Sequence, residues 1–423
     1  MLYEEVRRPP DLIKREIITD IQPYLFDDHI IVIIGPRQAG KTCLLHLLAE
    51  LLLKEENISQ DQIHYFDLED IDTLSYFNSI SPAALASQFR EKERTFLFID
   101  EVQYLDNPSN LLKIIHDHFP HIKLIVSGSS TLAIKKKFKE SLTGRKAVFN
   151  LRTLSFDEFL RFKGSHLLKV KRELDWRRPE GISSLLAKEF FEFFQEFILF
   201  GGYPKVVLEN NREKKVAQLS KIYNSYIRKD IKDLGAVENV AALNRLVSLL
   251  AFQIGQIINI EELTANLRIS RKTVERYIFL LENTFAIHLL KPYFTNKRKE
   301  ISKMPKVYFE DTGLRNVIIK NLDPLSLRND SGFLFENAVF NTLIKRLKPL
   351  EELKFWRTQA GAEVDLHCLN LQQGRFLLLF PFSNLDYSKK LMTPITLLLL
   401  ALPSGVSLVS MGLAGPNPLV LIR

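Results

Sequence analysis

The chain of 423 residues has only two cysteines, Cys43 and Cys368, which stand far apart in the sequence. They can form neither a disulfide framework nor a zinc site, and such scarcity is typical of proteins in a reducing cytoplasm. The N-terminus carries charges and prolines with no apolar run behind them, so no signal peptide is predicted. The most apolar late stretch, residues 395–402, is too short to span a membrane as a helix. We therefore predict a cytoplasmic protein without a membrane segment.

The sequence also lacks internal repeats, low-complexity tracts and an Asn/Thr-Lys-x-Asp motif for reading guanine. Its hydrophobic fraction of 46% and charged fraction of 26% are ordinary for a globular chain of several domains. A net charge of +8 permits contact with nucleic acid or another acidic surface without establishing it.

Apolar runs of strand length recur through the first 160 residues, with helical patterns between them. They cover residues 29–34, 63–68, 95–99, 123–127 and 147–151. Strands that alternate with helices predict an α/β fold, a parallel sheet with helices on both faces. A helical and winged-helix region and a small α+β C-terminal domain are expected to follow.

Residues 35–42 fit the motif G-x-x-x-x-G-K-[ST] and lie between a buried strand and an apolar helix over residues 42–53. In this context backbone N–H groups curl around phosphates, Lys41 reaches the β- and γ-phosphates, and the Thr42 hydroxyl ligates Mg²⁺. The motif makes the predicted α/β fold a P-loop NTPase parallel sheet with helices on both faces. The predicted ATP-binding residues are Gly35, Pro36, Arg37, Gln38, Ala39, Gly40, Lys41 and Thr42.

An apolar strand that ends in Asp100 and Glu101 is the partner expected for such a loop. Asp100 is predicted to hold Mg²⁺ through water, and Glu101 to polarise the water that attacks the γ-phosphate. After the next strand, Ser129 is the candidate sensor of the γ-phosphate, and the alternative is a simple turn residue. Arg145 is a candidate arginine finger acting in cis or in trans, and the alternative is a solvated basic turn.

Residues 260–290 have the pattern of a helix-turn-helix followed by a wing, with Ser270 as N-cap and a buried stripe of Val274, Ile278 and Leu281. Basic residues project from the other face and from the wing tip, and they could meet a DNA backbone. They are Arg271, Lys272, Arg276, Lys297, Arg298 and Lys299. The alternative is a lid or a contact with protein partners.

Acidic residues Glu336, Glu363 and Asp365 suit a nuclease of the restriction-endonuclease type, which also needs Glu-x-Lys on the next strand. Here that strand, residues 376–382, has neither acid nor lysine. The carboxylates alone leave no group to activate water, so we expect no nuclease activity.

Together these segments resemble a prokaryotic family of AAA-like ATPases that join an ATPase module to a winged helix and a C-terminal domain related to restriction-endonuclease folds. The resemblance rests on the motifs above and on residues 142–145, 154–159, 201–204, 228–231, 311–314, 332–336 and 357–365. It implies an N-terminal segment over 1–28, an ATPase domain over 29–162 and a helical connector or lid over 163–240. A winged helix over 241–325 and a degenerate endonuclease-like domain over 326–423 follow.

The leading hypothesis is an ATP-driven molecular switch that binds ATP and Mg²⁺, with oligomerisation left open. The alternatives are an ATP-regulated DNA-binding protein and a metal-dependent nuclease, and the missing Glu-x-Lys argues against the second.

Overall fold

The computed structural model describes residues 2–6, 9, 12–89, 94–129, 142–173, 183–225, 237–293, 304–347, 351–357, 363–370 and 374–378. The chain divides into two compact units. The first runs to Arg152 and includes Asn283–Phe285, and the second holds most of the rest.

The described part of the first unit contains five strands and five helices. The strands are β1 (Ile30–Ile34), β2 (Ile63–Asp67), β3 (Thr95–Asp100), β4 (Ile122–Gly128) and β5 (Lys146–Asn150). The helices are α1 (Ile18–Ile21), α2 (Lys41–Lys54), α3 (Ile71–Ser79), α4 (Pro82–Ala86) and α5 (Pro108–His118). One-turn 3-10 helices occur at Tyr3–Glu5, Gln22–Tyr24, Gln60–Gln62 and Val102–Tyr104.

All five strands form one parallel sheet in the order β2-β3-β4-β1-β5. The predicted α/β parallel fold is therefore confirmed, and each strand lies within one or two residues of its expected place. The carboxyl ends of all five strands meet at one edge of this sheet, so residues that follow different strands come together there.

Helices cover both faces of the sheet because β1 is apolar on both sides. Side chains at alternate positions of a strand point to opposite faces. Ile31 and Ile33 belong to one buried cluster with residues of α2, whereas Ile30, Val32 and Ile34 belong to another with residues of α5. A strand buried on both faces is typical of a central strand of a parallel sheet.

The second unit is mainly helical. Its helices are α6 (Phe156–Phe162), α7 (Leu167–Glu173), α8 (Ser184–Phe200), α9 (Pro204–Leu208), α10 (Arg212–Ser225), α11 (Val240–Phe252), α12 (Ile260–Leu267), α13 (Arg271–Asn283), α14 (Thr312–Ile318) and α15 (Ser331–Ile344), with a 3-10 turn at Leu325–Leu327. Its strands are β6 (Ile287–Leu290), β7 (Lys306–Phe309), β8 (Glu351–Arg357), β9 (Glu363–Asn370) and β10 (Gly374–Leu378).

The phenylalanines of α8 form an aromatic core in this unit. Phe194 and Phe197 lie within 5.5 Å of the ring of Phe156 on α6, and Phe194 also meets Phe335 on α15 at 5.7 Å. Edge-to-face arrangements such as those of Phe194 add directional attraction to the burial of large apolar rings. The Phe-rich segment is therefore a packing helix.

Three motifs of the resemblance interlock where α8 ends. The backbone amide of Leu154 donates a 2.8 Å hydrogen bond to the carbonyl oxygen of Gly202. The backbone amide of Gly202 donates a 2.7 Å hydrogen bond to the carboxylate of Asp311. A Cβ on Gly201 would lie 2.0 Å from the Asp311 carboxylate, and one on Gly313 would lie 2.1 Å from the carbonyl oxygen of Phe200. Glycine is required at both positions, because the Asp311 carboxylate at Gly201 and the Phe200 backbone at Gly313 leave no room for a side chain.

Two antiparallel sheets belong to the described part of the second unit. Strands β6 and β7 pair after the helices α12 and α13, which is the element order expected for a winged helix, and that assignment stays a prediction. Strands β8, β9 and β10 form a separate antiparallel sheet after α15. The predicted domain bounds likewise stay predictions. Among the described residues no helix is both long enough and apolar enough to cross a membrane.

The burial of Asp311 where α8 ends predicts that the free energy of unfolding depends on pH. Asp311 is 2% exposed, and burial raises its pKa to about 6 although it accepts N–H bonds from Gly202 and Leu314. Because the folded state holds the proton more tightly than the unfolded chain, this stabilisation is present near pH 4 and is lost as the pH rises through 6. The rise of the Asp311 pKa from its ordinary value of 3.8 corresponds to roughly 3 kcal/mol of unfolding free energy.

The expected result is that the unfolding free energy of the wild type falls between pH 4 and pH 7 relative to that of Asp311→Asn, which cannot titrate there. Chemical denaturation of both proteins across this range measures the difference. A difference that stays constant with pH would show that Asp311 is ionised throughout.

Candidate functional site

The loop between β1 and α2 passes close to the backbone that follows β5. A Cβ on Gly35 would lie 2.0 Å from the carbonyl oxygen of Leu151, which follows β5, so the end of β1 admits only glycine there. Gly40 adopts a left-handed φ of 97° at the N-cap of α2 and has no side chain to cap the helix. The first N–H groups of a helix have no intrahelical acceptor, so the start of α2 can meet an outside acceptor such as a phosphate.

The rest of this loop is held by neighbours within the first unit. The carbonyl of Ala39 accepts a 2.9 Å hydrogen bond from Arg15, and the same guanidinium donates to the carbonyl of Arg152 at 2.9 Å. Arg37 lies 3.9 Å from the carboxylate of Glu69, and Gln38 is exposed with a φ of 63°. Arg15 therefore ties the loop to the end of β5.

Asp100 is the centre of the hydrogen bonding at the carboxyl edge. Its Oδ2 accepts from the hydroxyls of Thr42 at 2.6 Å and Tyr65 at 3.0 Å. Its Oδ1 accepts from the hydroxyl of Ser127 and from the backbone amide of Glu101. The structure thus brings the two predicted metal ligands, Thr42 and Asp100, into direct contact.

Glu101 lies beside the P-loop lysine. Its Oε1 is 3.5 Å from Nζ of Lys41, which also donates to the carbonyl oxygen of Gly35 at 3.3 Å. The other carboxylate oxygen of Glu101 accepts from the amide of Gln103, and that amide also donates to Ser129 at 3.2 Å. The three predicted residues Lys41, Glu101 and Ser129 are therefore linked in one chain of contacts.

Acidic side chains give this edge of the sheet a negative field. Burial raises the pKa of Asp67 above its usual range, and the nearby carboxylates of Asp100, Glu69 and Glu101 add to that rise. Tyr65 has a raised pKa for the same two reasons, burial first and the Asp100 charge second, so it stays a hydrogen-bond donor at neutral pH. Carboxylates held together in this way attract a cation.

Arg145 is not part of this cluster. It directly precedes β5, and its carbonyl accepts from the amide of Ile30 at 2.7 Å, so it lies at the amino edge of the sheet. The five residues of β1, about 16 Å of extended chain, separate that edge from the P-loop. Its guanidinium contacts Asp117 at 2.7 Å and, with His116, holds the pKa of that carboxyl at about 2. This geometry gives no support to a role in cis, and a role in trans stays a prediction.

The basic helix face is partly occupied by acids. Arg271 donates to Glu261 at 2.6 Å and to Glu275 at 2.8 Å, while Lys272 and Arg276 are exposed. Ser270 contacts the amide of Thr273, as an N-cap does. The buried stripe has its expected members, Val274, Ile278 and Leu281. The predicted wing-tip residues Lys297, Arg298 and Lys299 lie outside the described residues.

The buried carboxylate of Glu336 contacts other buried polar side chains of the second unit. Its Oε1 accepts from the Tyr308 hydroxyl at 2.5 Å and lies 3.4 Å from Nζ of Lys306. The side chains of Glu363 and Asp365 on β9 lie outside the described residues, as does the chain after residue 378. Among the described residues no group of three or more His, Cys, Asp or Glu side chains is arranged to hold a metal.

Sequence reasoning missed Tyr65, Gln103 and Arg15. Tyr65 lies on β2, and its contact with Asp100 depends on the pairing of β2 with β3, which no local pattern encodes. Gln103 could have been noted as a polar residue two positions after Glu101. No local pattern marks Arg15, because its contacts with the P-loop are tertiary.

Comparison with known proteins agrees with this geometry. Residues 27–160 match the family described as AAA domain, and residues 191–325 match a domain of unknown function, DUF8612.

The uncharacterized protein MJ1544 of Methanocaldococcus jannaschii is 28% identical over 352 residues, which cover 82% of this chain and 73% of that protein. An uncharacterized protein of Haemophilus influenzae is 26% identical over 75% of each chain. The Aeropyrum pernix ORC1 protein, solved in complex with DNA, aligns at 12% identity over 74% of this chain and 94% of its own, with a TM-score of 0.30.

The first unit therefore contains an AAA-like P-loop domain, the class to which ATP-binding AAA-type ATPases belong. The DUF8612 match begins within α8 and ends after α14, so it covers most of the helical part of the second unit.

Proposed function

We propose that this protein is a Mg²⁺-dependent ATPase that acts as an ATP-driven molecular switch. The observation that carries the proposal is the 2.6 Å contact between the hydroxyl of Thr42 and the carboxylate of Asp100, beside the pair formed by Lys41 and Glu101. Hydroxyl and carboxylate oxygens are ligands that Mg²⁺ accepts, usually together with phosphate oxygens and water.

The loop also fits the phosphates of ATP. The uncapped N-terminus of the 14-residue helix α2 supplies N–H donors and a partial positive charge. Lys41 is only 5% exposed, and its Nζ contacts the carbonyl oxygens of Gly35 and Pro36, which places its charge inside the loop. Bound Mg²⁺ would supply the charge that neutralises the β- and γ-phosphate oxygens.

Glu101 is the proposed general base. The oxygen of a water molecule forms a bond to the γ-phosphorus, its proton passes to the Glu101 carboxylate, and the bond to the β–γ bridging oxygen breaks to release ADP and phosphate. Glu101 has a left-handed φ of 57°, a conformation uncommon for a non-glycine residue. Such backbone strain is often retained where it aims a functional side chain.

The switch follows from the partners of Lys41. The ammonium of Lys41 lies 3.5 Å from the carboxylate of Glu101. In the proposed ATP-bound state Lys41 faces the phosphates, so the carboxylate exchanges a charged partner for water. The hydrogen-bonded chain from Glu101 through Gln103 to Ser129 would carry that change to the end of β4.

DNA binding is the weaker candidate, because Arg271 already pairs with two acids. ATP hydrolysis measured with and without double-stranded DNA separates the two functions. Stimulation by DNA would favour the DNA-regulated candidate.

Replacing Lys41 by Ala is expected to weaken ATP binding by about 100-fold, roughly 3 kcal/mol, because it removes a charged donor to the phosphates. Titration calorimetry with Mg-ATP measures the loss. The matched control is Lys54→Ala in the same helix, where Lys54 is 71% exposed and pairs with Glu50. Wild-type affinity in Lys41→Ala would reject the assignment of the P-loop.

Glu101→Gln is expected to retain ATP binding while lowering kcat by about 10²- to 10⁴-fold, because an amide cannot take the proton from water. Steady-state phosphate release and equilibrium ATP affinity provide the two readouts. If turnover is unchanged, another residue is the base.

A further inference from the structure

Gln103 occupies a buried position between two of the proposed functional residues. It lies in the 3-10 turn Val102–Tyr104 that follows β3 and is 7% exposed. Its Nε2 donates to the carboxylate of Glu101 and to the hydroxyl of Ser129. A side-chain amide has two N–H hydrogens, so these contacts use its whole donor capacity.

The other end of the same amide has no partner. Oε1 of Gln103 is buried and makes no hydrogen bond within the part of the chain that the structure describes. A buried acceptor without a partner costs about 1–3 kcal/mol, so its presence calls for a reason. Reversing the amide would set Oε1 against the Glu101 carboxylate, two acceptors face to face, so the contact with Glu101 fixes the orientation.

The two oxygens of Glu101 have different partners, Lys41 on one side and Gln103 on the other. In the proposed mechanism Lys41 turns to the phosphates when ATP binds. Gln103 is then the partner that stays with the carboxylate. Its bond to Ser129 fixes it to the end of β4, next to the expected position of the γ-phosphate.

We propose that Gln103 is a positioning residue for ATP hydrolysis. It holds the Glu101 carboxylate through Nε2 and links it to Ser129 at the end of β4. The inference rests on the proposed function, because it assigns Gln103 a role only if Glu101 is the base.

The test is a double-mutant cycle on the full chain with Gln103→Leu, Glu101→Gln and the double variant. Gln103→Leu is expected to lower kcat about 10- to 100-fold, the usual loss when the partner that orients a functional group is removed. The Kd for ATP is expected to stay within about threefold, since the described hydrogen bonds of Gln103 go to Glu101 and Ser129 and not to the P-loop. In the Glu101→Gln background the same substitution is expected to cause no further loss of kcat.

Gln62→Leu is the matched control. Gln62 is a partly buried glutamine of the same unit whose Nε2 donates to the backbone carbonyl of Arg94 at 2.9 Å, away from the nucleotide site. Its kcat is expected to equal that of the wild type. Thermal unfolding of every variant checks the fold. If Gln103→Leu does not fold, Gln103→Glu replaces it, keeping the size of the side chain while setting a carboxylate against Glu101.

If the wild type hydrolyses ATP and Glu101→Gln lowers kcat, two outcomes overturn the inference about Gln103 without overturning the proposed function. One is an unchanged kcat in Gln103→Leu, and the other is an equal loss in both backgrounds, which a merely structural role would give. A wild type that hydrolyses no ATP, or an unaffected Glu101→Gln, instead overturns the proposed function together with the inference.

Discussion

The carboxylate of Asp100 accepts hydrogen bonds from side chains of three separate segments, Thr42 at the start of α2, Tyr65 on β2 and Ser127 on β4. These segments meet because the strands are parallel and their carboxyl ends share an edge. A carboxylate that is 2% exposed needs such donors to offset its lost hydration. The position of Thr42 relative to Lys41 and Glu101 depends on this one hydrogen-bonded centre.

The second unit depends on a different constraint, the close approach of backbones at the end of α8. Gly201, Gly202 and Gly313 leave no room for a side chain, and Asp311 joins them through the amide of Gly202 and the first turn of α14. Asn316 of α14 donates to the last carbonyls of α8, those of Ile198 and Leu199. These motifs of the resemblance therefore have a packing role here, because they allow the end of α8 to approach the start of α14.

Much of the first unit could be predicted from sequence because its signals are local. The run of β-branched residues in β1, the glycine loop and the apolar helix are contiguous, so their order alone indicates a P-loop. The contacts of Tyr65 and Gln103 depend on how β2 and β4 lie beside β3, and no local pattern encodes that order. Arg145 is the opposite case. It precedes the predicted strand over residues 147–151, and a residue that precedes a parallel strand lies at the amino edge, so the sequence already placed it away from the P-loop.

The central claim is that the cluster around Asp100 and Lys41 forms a site for ATP with Mg²⁺. Thermal unfolding of the intact protein, followed with ATP plus Mg²⁺, with ATP plus a chelator and with Mg²⁺ alone, tests it most directly. A ligand that binds only the folded state stabilises it, by about 2.7 kcal/mol at a concentration 100 times its Kd. The account predicts a clear rise in Tm with ATP plus Mg²⁺, a smaller rise with ATP alone and none with Mg²⁺ alone. An unchanged Tm at millimolar ATP and Mg²⁺ would contradict it.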